Sequence, residues 1–274
     1  MNIRRFYPAD LLAGEVAVVT GGGSGLGYAI ARDLVACGAD VVITSRSAPR
    51  LEEAELRIVE ETGRLCASFP CDIRKDDEIA RLRDYTNSRF GKGSILVNNA
   101  AANFHMPAER MTRRAMETVV DIDLMGTFAV TRAFVPDMIE ARRGAILSIT
   151  VPSVNRGFPG FSHAGAAKAG IISLTGSWAR EWGRYGIRVN ALAPGPVPTE
   201  GVTVNMLGKD ATDVPGAFAE HSEVAALGGL GTPEEIASAA VFLCSPAASW
   251  ITGVNLTVDG GMELSTPLHR PVTG

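Results

Sequence analysis

The residues Thr20-Gly21-Gly22-Gly23-Ser24-Gly25-Leu26-Gly27 stand between an apolar run, Val16 to Val19, and a helix-patterned segment running from Tyr28. Glycines at such a junction tolerate positive φ and let the backbone approach a bound group. The helix start adds unpaired N–H groups and a partial positive charge. Together these features suit a pyrophosphate, and the strand, turn and helix context points to a dinucleotide. Three later stretches could serve the same ligand. In Ser45-Arg46-Ser47-Ala48-Pro49-Arg50, neither Thr44 nor Ser45 is the acidic residue that would read the ribose hydroxyls of NAD. Arg46 instead offers a planar, permanently charged fork suited to a phosphate, so NADP(H) is the expected form. Cys71-Asp72-Ile73 places a carboxylate either to accept from an adenine amino group or to cap the next helix. Asn98-Asn99-Ala100-Ala101 has small residues that admit a cofactor closely, although such asparagines also make ordinary turns.

Elements of alternating type must position these residues. Strand candidates are Val16–Thr20, Val41–Thr44, Leu65–Phe69, Ile95–Asn98, Ala145–Ile149, Arg188–Ala191 and Val254–Val258. Helical periods fall near 26–37, 50–62, 76–90, 112–140, 164–184 and 233–244. Runs of Val, Ile and Leu without strict alternation suit parallel strands covered on both faces. The expected fold is therefore α/β, a doubly wound parallel sheet of the Rossmann type, in a single domain spanning 1–274. Residues 1–14 form a short N-terminal arm. The segment 194–232, rich in Gly, Pro and small residues, is expected to be a substrate loop, with a plain connector as the alternative. Ligands of such sheets bind beyond the carboxyl ends of the strands.

Composition narrows the function classes. A net charge of -4 gives no basic field for nucleic acid, and the lysines number only Lys75, Lys92, Lys168 and Lys209. The cysteines Cys37, Cys66, Cys71 and Cys244 form neither a CxxC pair nor a Cys/His cluster, so neither a metal site nor a disulfide framework is expected. Met1 to Gly14 lacks a signal-peptide apolar core, and no apolar run approaches membrane-spanning length. The final residues, Pro271-Val272-Thr273-Gly274, make no peroxisomal tripeptide. A soluble, cytoplasmic protein with reduced thiols is expected.

Thr20-Gly21-x-x-x-Gly25-x-Gly27, Asn98-Asn99-Ala100, Asp123-Leu124-Met125-Gly126, Lys168, Pro194-Gly195 and Asp259-Gly260-Gly261 occur in an order that resembles the short-chain dehydrogenase/reductase family over residues 12–262. That resemblance implies a nicotinamide cofactor held by Thr20, Gly21, Gly23, Ser24, Gly25, Leu26, Gly27, Arg46, Asp72, Ile73, Asn99, Ala100, Lys168, Pro194, Gly195, Val197 and Thr199. It also implies an Asn, Ser, Tyr and Lys tetrad, of which only Lys168 survives here. Ala164 stands in the tyrosine's place, on the same helical face by the i, i+4 rule. Val151 occupies the serine position, with Thr150 and Ser153 as possible substitutes, and Asp123 replaces the asparagine.

These departures resemble the peroxisomal type of 2,4-dienoyl-CoA reductase, as do Ala48-Pro49-Arg50, Ala101-Ala102-Asn103-Phe104, Val120-Asp121-Ile122-Asp123, His163-Ala164-Gly165 and Leu192-Ala193-Pro194-Gly195-Pro196. The subgroup implies NADPH-dependent reduction of trans-2,4-dienoyl-CoA thioesters to trans-3-enoyl-CoA, within unsaturated fatty acid degradation. A carbonyl reduction delivers a proton to an alkoxide at the hydride-accepting centre, whereas conjugate reduction places it elsewhere, so the tyrosine is dispensable. Asp123 and Lys168 remain for the proton. A free Asp has a pKa near 3.9, and a nearby lysine would depress it, so Asp123 is expected to orient Lys168 and a proton-delivering water. A pKa raised by burial is the rival version. Asp259 resembles a second active-site carboxylate of the subgroup, or else a turn residue.

The remaining candidates divide by role. Arg46 could also reach CoA phosphates, Phe104 could pack on the diene or anchor its loop, and Ala164 leaves space for the thioester. Arg50 is equally well explained by solvent exposure, and His105 lies on the same loop as Phe104. His163 is expected to pack or cap, and Asp121 to lie outside the site. Phe128, Phe134, Leu174 and Trp178 extend beyond one apolar stripe, consistent with the family's tetramer, hence an expected homotetramer. Two alternatives stay open: another short-chain reductase, acting on an enoyl-CoA or a carbonyl with Thr150, Ser153 or His163 as donor, and a non-catalytic NADP(H)-binding scaffold or sensor.

Overall fold

In the computed structural model the described residues are 3, 6–152, 154, 157, 159–199 and 225–264. Seven strands form one parallel sheet: β1 (Val16–Thr20), β2 (Asp40–Ser45), β3 (Cys66–Pro70), β4 (Ile95–Asn98), β5 (Gly144–Ile149), β6 (Ile187–Pro194) and β7 (Asn255–Val258). Their spatial order is β3-β2-β1-β4-β5-β6-β7. The chain winds outward from β1 through β2 to β3, then crosses back to β4 and winds the other way. The crevice between the ends of β1 and β4 is thus the topological switch point. Register brings Thr20 level with Thr44, and Asn98 level with Ser148.

Helices cover both faces, as the unbroken burial of β1, β4 and β5 requires. On one face α1 (Gly25–Ala36), α2 (Ala48–Thr62) and α7 (Pro233–Cys244) pack on Ala17, Val19, Val41 and Ile43. On the other, α3 (Asp76–Arg89), α5 (Gly126–Ala141) and α6 (Ser162–Trp182) pack on Val18, Val42 and Leu96. The alternation of Val18 against Ala17 and Val19 is the two-residue period of a strand buried on both sides. The N-terminal arm is tied to this core, with Leu12 fully buried and its N–H donating to the Cys37 carbonyl at 2.8 Å.

The expected helix at 112–140 differs in detail. It is α4 (Arg113–Val120), a π-helical turn over Asp121–Met125, and then α5. Gly126 follows the turn and packs against the Ile73 side chain, where a Cβ would come within 2.6 Å of Ile73 Cδ1 and push that side chain aside. Of the residues expected on a tetramer face, Phe134 and Trp178 are core residues, and Leu174 packs against the same cluster. Phe128 is exposed, as is neighbouring Met125. The expected loop 194–232 is described only to residue 199 and from 225. Among the described residues no helix is long and apolar enough to cross a membrane.

Candidate active site

The glycine-rich turn is held from below. Thr20 is buried, and its Oγ1 donates to the Val97 carbonyl and accepts from the N–H groups of Asn99 and Ala100 at 2.9 and 3.0 Å. Asn99 Nδ2 donates to the carbonyls of Thr20 and Gly21 at 3.0 and 3.3 Å. The ends of β1 and β4 are thereby stitched into one rigid floor. Gly21 takes φ of +67°, and a Cβ there would lie 2.7 Å from Asn99 Nδ2. Gly27 packs so closely on the Gly21 carbonyl and Asn99 that no side chain fits.

Above this floor opens a cavity of about 410 Å3, lined by Gly21, Ser24, Gly25, Leu26, Arg46, Asp72, Ile73, Asn99, Ala100, Asp123, Ala164, Lys168 and Thr199 among others. Ser24, at the N-cap of α1, makes no side-chain cap, and the first turn carries no acidic residue. The unpaired N–H groups there remain available to an anion, so the cradle fits the pyrophosphate of a dinucleotide. Thr20 and Gly27 shape the cradle without lining the cavity. Gly23 faces a second cavity behind the turn, of about 570 Å3, with Arg32, Arg50 and Arg57.

At the inner end of the cleft, the π-helical turn carries Asp123 inward while Asp121 stays exposed. Asp123 Oδ1 accepts from the Ala102 N–H at 2.7 Å, and Oδ2 lies 3.4 Å from Lys168 Nζ. Lys168 Nζ also donates to the Ile149 carbonyl at 2.9 Å. Burial raises the Asp123 pKa above the ordinary carboxylate value and outweighs the opposing influence of Lys168. Lys168 does depress it, as expected, but the carboxylate is almost wholly removed from water, so the rival version, a pKa raised by burial, gives the net direction.

Beside this pair, Ala164 presents only a methyl group to the cleft. Thr150 also borders the cleft, but its single hydroxyl proton is donated to Asn255 Oδ1 at 2.7 Å, with the Leu192 carbonyl 3.3 Å away. Its proton is aimed at the sheet. Ser153 lies outside the described residues.

The family model described as enoyl-(acyl carrier protein) reductase matches residues 21–263. A protein of Danio rerio named peroxisomal 2,4-dienoyl-CoA reductase [(3E)-enoyl-CoA-producing] is 40% identical over 261 residues, covering 95% of this chain and 85% of that protein. The chain belongs to the short-chain dehydrogenase/reductase family. A Bacillus subtilis (strain 168) relative named probable 2,4-dienoyl-CoA reductase [(2E)-enoyl-CoA-producing] is 38% identical over 92% of this chain and 97% of its own length. Among solved structures, levodione reductase superposes with a TM-score of 0.88 at 31% identity, over 93% of this chain and all of that one.

As a short-chain dehydrogenase/reductase the protein is an oxidoreductase whose fold takes a nicotinamide cofactor. Against that family pattern, several expected site residues sit elsewhere than the cleft. Asp259 accepts from the N–H groups of Gly261 and Glu263 at 2.8 and 2.7 Å, as its turn reading expects, and is not among the described residues that line the cleft. Pro194 closes β6 in register with Val258, and Gly195 lets the Asp259 backbone approach, its missing Cβ being 2.6 Å from Asp259 Cα. Val197 is a core residue. Phe104 packs on Val119, Phe161 and Ala164, edge-on to the His163 ring at 4.5 Å, the contacts that its loop-anchor reading expects.

Asp72 does not cap α3, whose N-cap is Lys75. Its carboxylate instead receives the Arg74 guanidinium, with Nε at 2.9 Å and Nη2 at 2.5 Å, and hydrogen bonds from Arg74 pull its pKa down to about 2. Arg74 joins exposed Arg46 on the cleft wall, a second guanidinium that sequence reading did not single out. Its signal was its position two residues past Asp72, at the same strand end. Asn103 also borders the cleft with a buried Oδ1 that has no partner among the described residues, and no spacing rule marked it.

Proposed function

We propose that this chain reduces trans-2,4-dienoyl-CoA thioesters with NADPH to trans-3-enoyl-CoA. The observation that carries this reading is the buried Asp123 and Lys168 pair beside Ala164, a wall with no hydroxyl where the family keeps its tyrosine. Curated relatives named for this activity, such as that of Rattus norvegicus at 41% identity over 94% of the chain, support it. Exposed Arg46 on the cleft wall, with no acidic residue after β2, supports NADPH as the form taken.

NADPH, when bound, would supply a hydride to the δ carbon of the diene. Electrons then move through the conjugated system onto the thioester oxygen, giving a dienolate, and a proton is added at the α carbon. No alkoxide forms at the hydride-accepting carbon, so a phenol is not required there. Asp123, its proton affinity raised by burial, holds that proton and passes it through a water beside Lys168. Lys168 fixes the carboxylate and adds positive potential near the developing oxyanion. The Ala164 methyl leaves room for the thioester.

The acyl-CoA substrate class follows from the same reading. Exposed Met125 and Phe128 support a homotetramer, and four buried cysteines outside any disulfide suit the cytoplasm. The test is NADPH oxidation with a 2,4-dienoyl-CoA, a 2-enoyl-CoA and a 3-oxoacyl-CoA, with the position of the product double bond read by NMR. Turnover of the dienoyl substrate to the 3-ene is expected. Turnover of another substrate assigns a different reductase, a 2-ene product moves protonation off the α carbon, and tight NADPH binding without turnover leaves a scaffold or sensor.

A further inference from the structure

One buried titratable side chain beside the cleft is unused by this proton route. His163 is fully buried at the start of α6, immediately before Ala164. Its Nδ1 accepts from the Ala164 N–H at 2.7 Å, which leaves the proton of the neutral ring on Nε2. Nε2 is also buried and has no hydrogen-bond partner among the described residues. Polar contacts with the backbone of Phe161 and of Phe104 nevertheless tie the ring to the loop after β4, a role beyond filling space.

The surroundings of the ring lead to Asp123. Phe104 stands edge-on to the imidazole, with an interplanar angle of 82°. Two residues earlier on the same loop, the Ala102 N–H binds Asp123 Oδ1. Five residues on from His163 along α6 stands Lys168, which faces Asp123 Oδ2. A closed circuit results, from the carboxylate through the loop and the imidazole to the lysine and back. The charged groups facing it are Asp123 on the π-helical turn and Lys168 on α6, while His105 sits at the exposed edge against Phe161. Burial holds the His163 pKa below its ordinary value, against hydrogen bonds with the backbone of Phe161 and Phe104 and the smaller pull of Asp123, so no second cation enters the carboxylate's field.

We propose that His163 is a positioning residue for Asp123, its neutral ring bracing the loop after β4 so that the Ala102 N–H stays on the carboxylate. The consequence rests on the proton role assigned above to Asp123. The Ala102 hydrogen bond lowers the Asp123 pKa, so slackening the loop raises it.

Two measurements separate the brace from the reaction. In 15N NMR of the cofactor-free protein, His163, assigned through His163→Asn, is expected as the neutral Nε2–H tautomer from about pH 6 to 8. Asp123→Asn, which removes the carboxylate charge, is expected to lower its pKa further. A protonated ring at pH 7, or a ring insensitive to Asp123→Asn, overturns the proposal whatever the substrate. In kinetics, His163→Asn keeps an acceptor for the Ala164 N–H without the ring, and His163→Phe keeps a ring without the acceptor. His163→Asn is expected to lower kcat about tenfold, to leave the KM for NADPH within about twofold, and to move the Asp123 limb of the pH profile upward. His163→Phe is expected to keep more of the rate. An unmoved pH profile in both variants overturns the brace. Absence of dienoyl-CoA turnover in the unaltered enzyme overturns the proposed function instead, and leaves the NMR result to decide the brace.

Discussion

Lys168 Nζ lies 3.4 Å from Asp123 Oδ2, and the two side chains are only 8% and 1% exposed. Removing one partner of such a pair strands the other charge in the interior, typically at a cost of about 3–5 kcal/mol. Lys168→Met is therefore expected to lower the melting temperature by several degrees. Because burial already raises the Asp123 pKa and Lys168 opposes that rise, losing the lysine raises it further. A carboxyl with a raised folded pKa favours the fold below its unfolded value, near 3.9, and loses that contribution as pH rises through the folded value. The deficit relative to the unaltered protein should thus grow from acid toward neutral pH in thermal melts. A deficit constant across that range would show that Asp123 does not sense the lysine.

Asp123→Asn keeps the shape of the side chain and removes the proton it can give. With the proton route through this carboxylate, kcat for the dienoyl-CoA should fall by about 10²–10⁴-fold. NADPH affinity, followed by fluorescence titration, should stay within about threefold, since Asp123 lies at the inner end of the cleft, past the glycine-rich cradle. An unchanged single-turnover rate would remove Asp123 from the chemistry.

Arg46→Ala tests the cofactor form. A guanidinium on a phosphate is a charge-assisted contact worth about 1.5–3 kcal/mol, so affinity for NADPH should drop about 10–100-fold while that for NADH barely changes. Equal losses for both would mean that Arg46 does not read the 2′-phosphate.

Gly27→Ala should break the cradle. The added Cβ would meet the Gly21 carbonyl and lie 2.5 Å from Asn99 Nδ2, and neither is the free end of a flexible chain. Calorimetry should show cofactor binding reduced by at least about tenfold together with a lower melting temperature, as overpacking by even one carbon typically costs about 1–3 kcal/mol. Unaltered binding would mean that the turn yields.

Arg74→Ala should return the Asp72 pKa from about 2 toward the ordinary value near 3.9, read by carboxyl NMR titration. A carboxylate with a depressed folded pKa stabilises the fold above its unfolded value and loses that contribution as pH falls through the folded one. The unaltered protein should therefore owe part of its acid sensitivity between about pH 4 and pH 2 to this pair, and the variant should show less of it.

Much of the architecture could be read along the chain. β1 falls at Val16–Thr20 as its apolar run indicates, and α7 starts at Pro233, where Thr232 and Glu235 form a capping box. Boundaries moved by a residue or so: the strand expected from Leu65 begins at Cys66, and Leu65 stays exposed. The contacts of Asp259 and Phe104 could not be read from their motifs: backbone N–H groups meet the first and the His163 ring meets the second.

Sequence by itself determined the parallel α/β sheet, the dinucleotide turn at Thr20 to Gly27, and the absence of a tyrosine before Lys168, because apolar period, glycine spacing and residue identity are local properties. Tertiary structure decided which carboxylates do what. Asp72 is claimed by Arg74 and driven acidic, whereas Asp123, turned inward by a π-helical turn that no period announces, is buried against Lys168 and driven the other way. Proton affinity depends on desolvation and on partners brought from distant parts of the chain, and those exist only once the chain has folded.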